Sequence, residues 1–281
     1  MEHDEIIKRI KILKKEKNAI ILAHNYQLGE IQDIADIVGD SLELSQMAKK
    51  TDAEIVVFCG VHFMAETAAI LCPDKTVILP DINAGCPMAD MATAEALKKK
   101  KQENPKIKIV CYVNTTADVK AESNICCTSA NADKIVEFIS PEDEILFVPD
   151  QYLGNYASLK TGRKLNYWPG FCPTHKRISG KDIDILKERF PSSLVLVHPE
   201  CTPDVIQRAD RVFSTGGMIN FINKVNNKEI IVATEIGIIY RMKKENPSNY
   251  YIPVSEQAIC PFMKLIRLEK LLWSLENIEY K

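Results

Sequence analysis

Residues 107–116 read Ile-Lys-Ile-Val-Cys-Tyr-Val-Asn-Thr-Thr, a run that is apolar and rich in β-branched residues apart from Lys108 and that ends in a polar cluster. A continuous apolar run of this length is typical of a parallel strand that is buried on both faces. Similar runs recur, each followed by a helical pattern, at 19–23, 55–59, 145–148, 194–197 and 230–233. This alternation of strand and helix patterns predicts an α/β fold with parallel sheets.

The polar clusters at the strand ends repeat with a nearly constant spacing. Tyr112 follows His24 by 88 positions and precedes His198 by 86. Two further sets keep the same register: the hydroxyl residues Ser41, Ser129 and Thr215, and the cysteines that precede proline, Cys86, Cys172 and Cys260. Self-similarity at a fixed period is the signature of repeated structural units.

The repeat predicts three small αβα domains, related by pseudo-threefold symmetry, around a central active site. The expected domains span residues 1–85, 86–171 and 172–261, and the C-terminal helix, residues 262–281, is expected to pack on the first. Ligands of parallel α/β units bind at the carboxyl ends of the strands. Because the repeated polar residues lie at such ends, the sequence predicts one shared site.

Nine cysteines are unusual in a chain with no secretory signal, and their odd number argues against a disulfide framework. The three that keep the register are expected to present their thiolates together. Three soft thiolates suit either zinc or an iron–sulfur cluster with one open iron. Of the other six, Cys59 and Cys111 end strands, where buried cysteine is common, and Cys126 and Cys127 are neighbours, which rarely bind one metal together. Cys72 and Cys201 have no counterparts in the other repeats, and Cys201, beside Glu200, is the one that could reach the site.

The bulk composition excludes several classes of protein. The chain has 281 residues, 46% hydrophobic and 26% charged, and a formal net charge of −2. It shows no strongly basic block, so a nucleic-acid partner is not expected. It contains no run of about 18 apolar residues, so no membrane partner is expected. The acidic N-terminus does not resemble a secretory signal, which predicts a cytoplasmic protein.

Several motifs together resemble those of the quinolinate synthase family. They are residues 23–27 (Ala-His-Asn-Tyr-Gln), 39–41 (Gly-Asp-Ser), 111–116 (Cys-Tyr-Val-Asn-Thr-Thr), 198–201 (His-Pro-Glu-Cys) and 214–218 (Ser-Thr-Gly-Gly-Met). The resemblance runs from about residue 20 to the end. It implies three αβα domains around a [4Fe–4S] cluster held by Cys86, Cys172 and Cys260. It also implies that iminoaspartate and dihydroxyacetone phosphate condense to quinolinate with loss of phosphate and two waters, on the path to NAD.

The motifs supply candidate residues for this chemistry. Glu200 is the expected general base or acid, paired with His198, because residues two apart in an extended segment point the same way. Tyr112 and Tyr26 are expected to donate hydrogen bonds to a developing intermediate. The residues expected to bind the anionic substrates are His24, Ser41, Tyr112, Asn114, Ser129, His198, Glu200 and Thr215. His175, three positions after Cys172, is expected to support a ligand or contact substrate.

The family pattern also sets limits and leaves rivals. Some family members carry a second cysteine three positions before the last ligand, but Gln257 stands there, so a disulfide switch is not expected. A partner that supplies the unstable iminoaspartate is possible, as the source of one substrate. The alternatives are a hydro-lyase of the aconitase kind that uses the same open iron, an iron–sulfur sensor or electron carrier, and a zinc hydrolase with three cysteine ligands.

Overall fold

A computed structural model describes residues 3–279 of the chain. It contains twelve strands and fourteen α-helices in these residues. The elements before Cys86 are α1 (His3–Glu16), β1 (Ala19–His24), α2 (Gly29–Ile34), β2 (Ile37–Gly39), α3 (Ser41–Lys50), β3 (Ile55–Cys59), α4 (His62–Leu71) and β4 (Thr76–Ile78). They are followed by α5 (Ala94–Glu103), β5 (Lys108–Tyr112), α6 (Ala117–Ala121), β6 (Ile125–Cys127), α7 (Ala132–Phe138), β7 (Ile145–Val148), α8 (Gln151–Thr161) and β8 (Asn166–Tyr167).

The third group of elements begins directly after Cys172. It comprises α9 (Pro173–Lys176), α10 (Gly180–Arg189), β9 (Leu194–Val197), α11 (Pro203–Ile206), β10 (Arg211–Val212), α12 (Thr215–Ile222), β11 (Glu229–Ala233), α13 (Ile238–Glu245), β12 (Tyr250–Pro253) and α14 (Leu268–Asn277). Two 3₁₀ turns, Ala89–Met91 and Met263–Leu265, complete the described elements.

The strands form three four-stranded sheets, and every strand pair within them is parallel. The orders are β2-β1-β3-β4, β6-β5-β7-β8 and β10-β9-β11-β12, so each sheet has the same topology. The prediction of an α/β fold with repeated αβα units is thereby confirmed. The two central strands of each sheet are nearly all buried, which explains why their sequences are continuous apolar runs.

Side-chain hydrogen bonds repeat with the register of the sequence. Asp36 accepts from the backbone N–H of Ile21 at 2.9 Å, and Asn124 accepts from Ile109 at 2.8 Å. Asp210 closes the series by accepting from the N–H of Val195 at 2.8 Å. The three acceptors are 124 − 36 = 88 and 210 − 124 = 86 positions apart, the spacing found for the other repeated residues. In each sheet the same bond therefore holds the start of one strand against its neighbour: β2 against β1, β6 against β5, and β10 against β9.

The chain divides into two compact units, one of residues Met1–Cys86 with Cys260–Lys281 and one of residues Pro87–Ile259. In the first unit, α14 packs against α1, and Ile10, Leu271 and Leu275 are fully buried in their shared core with the first sheet. The helix expected at 262–281 spans Leu268–Asn277, and residues 280 and 281 lie outside the described part. The division into three domains stays a prediction.

No helix among residues 3–279 combines the length and the apolar character that crossing a membrane requires.

Candidate active site

The second unit, residues 87–259, contains a buried carboxylate with a hydrogen bond to each of its oxygens. Oε1 of Glu200 accepts from the hydroxyl of Tyr112 at 2.6 Å, and Oε2 lies 2.8 Å from Nδ1 of His175. The three residues are no more than 5% exposed. Short, charge-assisted bonds of this kind hold a carboxylate in one orientation. Glu200 is therefore fixed from two sides in a site that excludes bulk water.

The residues of this site come from the ends of three strands and from one short helix. Tyr112 ends β5, Glu200 follows β9, Thr234 follows β11, and His175 lies in α9. Nε2 of His175 lies 2.9 Å from the Thr234 hydroxyl, so both ring nitrogens are engaged. The ring also stacks on that of His198, with centroids 4.7 Å apart and planes 24° apart. The carboxyl ends of parallel strands thus collect the polar groups, as the fold class requires.

The loop that carries Glu200 is a turn rather than the extended segment that the sequence analysis assumed. The N–H of Cys201 donates to the carbonyl of His198 at 3.0 Å, and Nδ1 of His198 accepts from the Glu200 N–H at 3.4 Å. Pro199 lies inside this turn and restricts its backbone. The imidazole that contacts the Glu200 carboxylate at hydrogen-bond distance is that of His175, and the ring of His198 stacks behind it.

The loop after β1, in the first unit, has the same conformation. The N–H of Gln27 donates to the carbonyl of His24 at 2.9 Å, and Nδ1 of His24 accepts from the Tyr26 N–H at 3.2 Å. The two rings meet edge to face with centroids 4.6 Å apart. His24 and Tyr26 are buried, and their turn is held by the buried side chain of Gln32, which donates to two carbonyls. The repeat therefore extends to the shape of the loops that carry candidate site residues.

The protonation state of Glu200 follows from its neighbours. Burial raises the pKa of this carboxyl, but the His175 charge and hydrogen bond oppose that effect, with further contributions from His198 and the Tyr112 hydroxyl. The net result lowers the pKa of Glu200 to about 2. Glu200 is thus a carboxylate at neutral pH, able to accept a proton but not to supply one of its own.

Asp150 is a second buried carboxyl of this unit, and the sequence analysis did not assign it. One oxygen caps α8 by accepting from the N–H groups of Tyr152 and Leu153 at 2.7 and 2.9 Å. The other, Oδ2, has no hydrogen-bond partner among residues 3–279. Burial and the negative charge of Glu200 raise the pKa of Asp150 well above its usual range, although the backbone N–H groups oppose them. Two neighbouring carboxyls with opposed pKa shifts are typical of acid–base sites.

The signal for the missed residues was present but weak. Thr234 lies directly after β11 and Asp150 lies two positions after β7, so both follow the third strand of their sheets. These strand ends keep the register of the repeat, but their residue types differ from one repeat to the next, so neither residue was assigned a role in the site. The contact between His175 and Glu200 joins positions 25 apart, and no spacing rule predicts it.

The amide of Asn114 offers an unused hydrogen-bonding atom. Its Oδ1 is buried and has no partner within residues 3–279, although the residue is otherwise half-buried. A buried acceptor without a partner costs free energy, about 1–3 kcal/mol. Asn114 follows the strand that carries Tyr112. This unused acceptor is suited to an N–H or O–H group of a ligand.

The three hydroxyl residues of the register occupy related but unequal places. Ser41 and Thr215 are the first residues of α3 and α12, and the helices are capped by the residues before them, Asp40 and Ser214. Ser129 lies in a turn three positions before α7. Because other side chains cap α3 and α12, neither Ser41 nor Thr215 is an ordinary N-cap. Ser41 belongs to the first unit, and Ser129 and Thr215 belong to the second.

The cysteines separate into groups by burial. None of the nine is in a disulfide, and all lie within residues 3–279. Five are buried and Cys126 is exposed, whereas Cys86, Cys172 and Cys260 are the three that are half-buried. A cluster ligand must be reachable by the cluster yet sheltered from bulk water, and thiolates are the donors that iron–sulfur clusters take. The predicted ligands therefore have the donor type and the exposure that such a cluster needs.

A close backbone approach fixes the loop that carries Cys172. Gly170 pairs with Asp150, and its carbonyl accepts from the Gln151 N–H at 2.9 Å. A Cβ on Gly170 would lie 2.4 Å from the carbonyl oxygen of Pro149, which is closer than real contacts allow. Only glycine fits here, because any side chain would push the loop from the end of β7.

One further metal-binding set includes Cys172. Its sulfur, Nδ1 of His175 and an oxygen of Glu200 all lie within 4.8 Å of one another. The Nδ1 atom lies 3.1 Å from the sulfur as well as 2.8 Å from the carboxylate. At these distances the Nδ1–H group can donate to the sulfur or to the carboxylate, and the three groups together could also hold one metal ion.

Comparison with known proteins places the chain in a family. The family model described as "Quinolinate synthetase A protein" matches residues 8–281. The chain belongs to this family. It is 58% identical over 279 residues to a protein named quinolinate synthase from Dehalococcoides mccartyi (strain CBDB1), covering 99% of this chain and 92% of the relative.

Other organisms have similar relatives with the same name. The chain is 55% identical over 277 residues to the quinolinate synthase of Desulforudis audaxviator (strain MP104C), covering 98% of this chain and 91% of that one. It is 50% identical over 280 residues to that of Methanosarcina barkeri (strain Fusaro / DSM 804), covering 100% of this chain and 92% of the relative. The predicted membership of the family is confirmed over nearly the whole chain.

Proposed function

We propose that the chain is a quinolinate synthase, which condenses iminoaspartate with dihydroxyacetone phosphate to quinolinate in de novo NAD biosynthesis. Phosphate and two waters leave, so the enzyme performs a transfer and a dehydration in one site. Identity of 50–58% to quinolinate synthases over nearly the full length supports the proposal. The observation that carries it is the buried Glu200 carboxylate, bonded to Tyr112 and His175 at strand ends where this family's motifs lie.

Glu200 is the proton acceptor in this proposal. The reaction removes protons from carbon and nitrogen and expels two hydroxyl groups as water. A pKa of about 2 keeps Glu200 ionised, so it takes a proton only during the transfer itself, and its burial strengthens each charge interaction in the site. The hydroxyl proton of Tyr112 points at Glu200, which leaves the phenol oxygen to face substrate. A proton can therefore pass from substrate to the Tyr112 oxygen while Tyr112 passes its own to Glu200.

Other residues of the second unit are assigned to substrate binding. The unused Oδ1 of Asn114 is suited to the imine or amine N–H of the substrate. Thr215, at the first position of α12, and Ser129 are assigned to its carboxylates or phosphate, since anions bind well near helix N-termini. His198 supports the ring of His175 and reaches the same site. His24, Tyr26 and Ser41 are assigned the corresponding tasks in the first unit from the register of the repeat.

Cys86, Cys172 and Cys260 are proposed to hold a [4Fe–4S] cluster. Their support is the shared register, their half-burial and the donor type. When bound by three cysteines, such a cluster has one iron that can act as a Lewis acid toward a substrate oxygen. The chain's own residues then bind, orient and deprotonate the substrate as described above.

The Cys172–His175–Glu200 set favours one second candidate, a hydrolase or lyase with a single metal ion. A cysteine, a histidine and a glutamate within 4.8 Å match the ligand types of zinc. In that case the metal would displace the proton between His175 and Glu200, and Cys86 and Cys260 would have no part in binding it. Metal content therefore separates the two candidates.

The test is an anaerobic assay on protein purified without oxygen. Iron and acid-labile sulfide are measured first, and iminoaspartate is then generated in place and dihydroxyacetone phosphate added. We expect about four iron and four sulfide per chain, as the [4Fe–4S] formula requires, and quinolinate by chromatography. One zinc per chain without sulfide would favour the second candidate. A full cluster without quinolinate would favour the hydro-lyase or sensor interpretation.

The setting of the enzyme is also proposed. Its substrates are small anionic molecules, and iminoaspartate hydrolyses readily, which favours a transient partner that supplies it by oxidising aspartate. We assign the reaction to the cytoplasm, where a reducing environment preserves exposed clusters and thiols.

A further inference from the structure

His175 has every polar atom of its side chain in contact with a different functional group. Nδ1 lies 2.8 Å from the Glu200 carboxylate and 3.1 Å from the Cys172 sulfur, and Nε2 lies 2.9 Å from the Thr234 hydroxyl. The residue is 2% exposed. A surface histidine would have its ring nitrogens exposed to water, whereas those of His175 contact protein groups. His175 is therefore part of the buried hydrogen-bond network of the site.

The position of His175 on its helix explains how it reaches Cys172. Cys172 is the N-cap residue of α9, and His175 is the third residue of the helix. A side chain at this third position can fold back onto the cap, as in the capping box. This position brings the imidazole of His175 back to Cys172. Glu200, in the loop after β9, approaches the same Nδ1 atom from another side.

The ring has little freedom to leave this position. Thr234 holds Nε2 on one edge, and the ring of His198 stacks against its face at 4.7 Å. Both residues are buried. The Nδ1 atom carries at most one proton and faces two acceptors, the carboxylate of Glu200 and the sulfur of Cys172. A change in the electron density on the sulfur therefore alters the hydrogen bond available to Glu200, and the reverse also holds.

We propose that His175 is a positioning residue that couples Cys172 to Glu200 through its Nδ1–H group, with Thr234 fixing the ring. The effect of His175 on the reaction, through Glu200, rests on the proposed function. The effect of His175 on Cys172 rests only on Cys172 being a ligand of the cluster. A donor to a ligating sulfur stabilises the more negative, reduced form of a cluster, and outer partners of this kind also hold the ligand in place. His175 thus acts on the cluster ligand and on the proton acceptor at once.

Two substitutions separate the proposed contacts. In asparagine the amide nitrogen is bonded to Cγ, as Nδ1 is in histidine, so His175→Asn retains a donor near Cys172 and Glu200 but loses the contact with Thr234. His175→Leu removes all three contacts at similar size. His62→Leu is the control, because His62 is exposed on α4 and pairs only loosely with Glu66, at 3.8 Å.

The experiment measures three properties of anaerobically loaded protein: the rate of cluster loss to a chelator, the midpoint potential of the cluster and the rate of quinolinate formation. In His175→Leu we expect cluster loss to be ~10–100-fold faster, the potential more negative and quinolinate formation ~10–100-fold slower. His175→Asn should recover part of the cluster stability and potential, but less than the parent value because the contact with Thr234 is lost. His62→Leu should match the parent protein in all three.

The outcomes distinguish this proposal from the proposed function. Parent-like cluster loss and potential in His175→Leu would overturn the coupling even if activity fell, because His175 would then act on Glu200 only. If the parent protein makes no quinolinate while His175→Leu and His175→Asn differ in the cluster measurements, the proposed function fails and the proposed contact of His175 with Cys172 stands. A parent protein that takes up no cluster would overturn the coupling. If His175→Leu does not fold, His175→Asn and Thr234→Val carry the test, and parent-like cluster measurements in Thr234→Val would overturn the role of Thr234.

Discussion

The hydroxyl of Tyr112 provides a sharp test, because the chain contains a matched control. Tyr112 and Tyr251 are both buried tyrosines of the second unit, 5% and 3% exposed. The Tyr112 hydroxyl donates to the Glu200 carboxylate at 2.6 Å, whereas the Tyr251 hydroxyl donates to the backbone carbonyl of Asn246 at 2.9 Å. Substitution by phenylalanine removes one oxygen from each and leaves the ring in place.

The hydrogen bonds predict different losses of stability. A bond to a charged group contributes about 1.5–3 kcal/mol and a neutral bond about 0.5–1.5 kcal/mol. The free energy of unfolding should therefore fall in both variants, and somewhat more in Tyr112→Phe. The two variants should differ much more in their rates of quinolinate formation. Loss of a positioned proton-transfer group slows a reaction by ~10²–10⁴-fold, so Tyr112→Phe should make quinolinate that much more slowly, and Tyr251→Phe should match the parent protein.

The assay is the initial rate of quinolinate formation under anaerobic conditions, with iron and sulfide first matched among the three proteins. Urea unfolding of the same samples reports stability. If Tyr112→Phe forms quinolinate within about twofold of the parent rate, far inside the loss expected for a proton-transfer group, the proposed transfer through its hydroxyl is wrong. If Tyr251→Phe is equally slow, the loss reflects stability and not chemistry.

Three further substitutions test other parts of the site. Gly170→Ala places a Cβ 2.4 Å from the Pro149 carbonyl oxygen, so it should lower the free energy of unfolding by about 1–3 kcal/mol and lower the iron content by displacing the Cys172 loop. Gly85→Ala is the control, because its Cβ meets only ordinary contacts. Equal urea midpoints for the two variants would contradict this account. Cys172→Ala should lose the cluster while Cys72→Ala, at a buried cysteine outside the register, keeps it, and a full cluster in Cys172→Ala, by iron and sulfide analysis, would remove that ligand. Glu200→Gln preserves the shape but not the charge, so it should keep its iron and slow quinolinate formation ~10²–10⁴-fold; an active variant would exclude Glu200 as the proton acceptor.

The sequence was sufficient to predict the fold because its signals are local and repeated. Buried parallel strands such as β7 are continuous apolar runs, and the polar residues at the strand ends keep a register of 86–88 positions. Three sheets of identical topology follow from three copies of one pattern. The hydrogen bonds of Asp36, Asn124 and Asp210 keep the same register but were not recognised, because a single polar residue before a short strand resembles any other loop residue.

The contacts of the site were harder to predict than its members. His198 and Glu200 lie two positions apart, and the sequence suggested a direct pair, but Pro199 turns the chain and the Glu200 carboxylate lies against His175. That contact depends on the loop before α9, whose path is set by the close approach of Gly170 to Pro149. Side-chain partners that depend on the packing of two loops cannot be read from spacing.

The measurement that tests the central claim most directly is the stoichiometry of turnover by cluster-loaded protein under anaerobic conditions. Dihydroxyacetone phosphate and freshly generated iminoaspartate are supplied in excess, and quinolinate and released phosphate are followed together. The proposed reaction predicts one phosphate for each quinolinate over many turnovers, and loss of both on exposure to air. Phosphate release without quinolinate, or no turnover by protein with a full cluster, would contradict it.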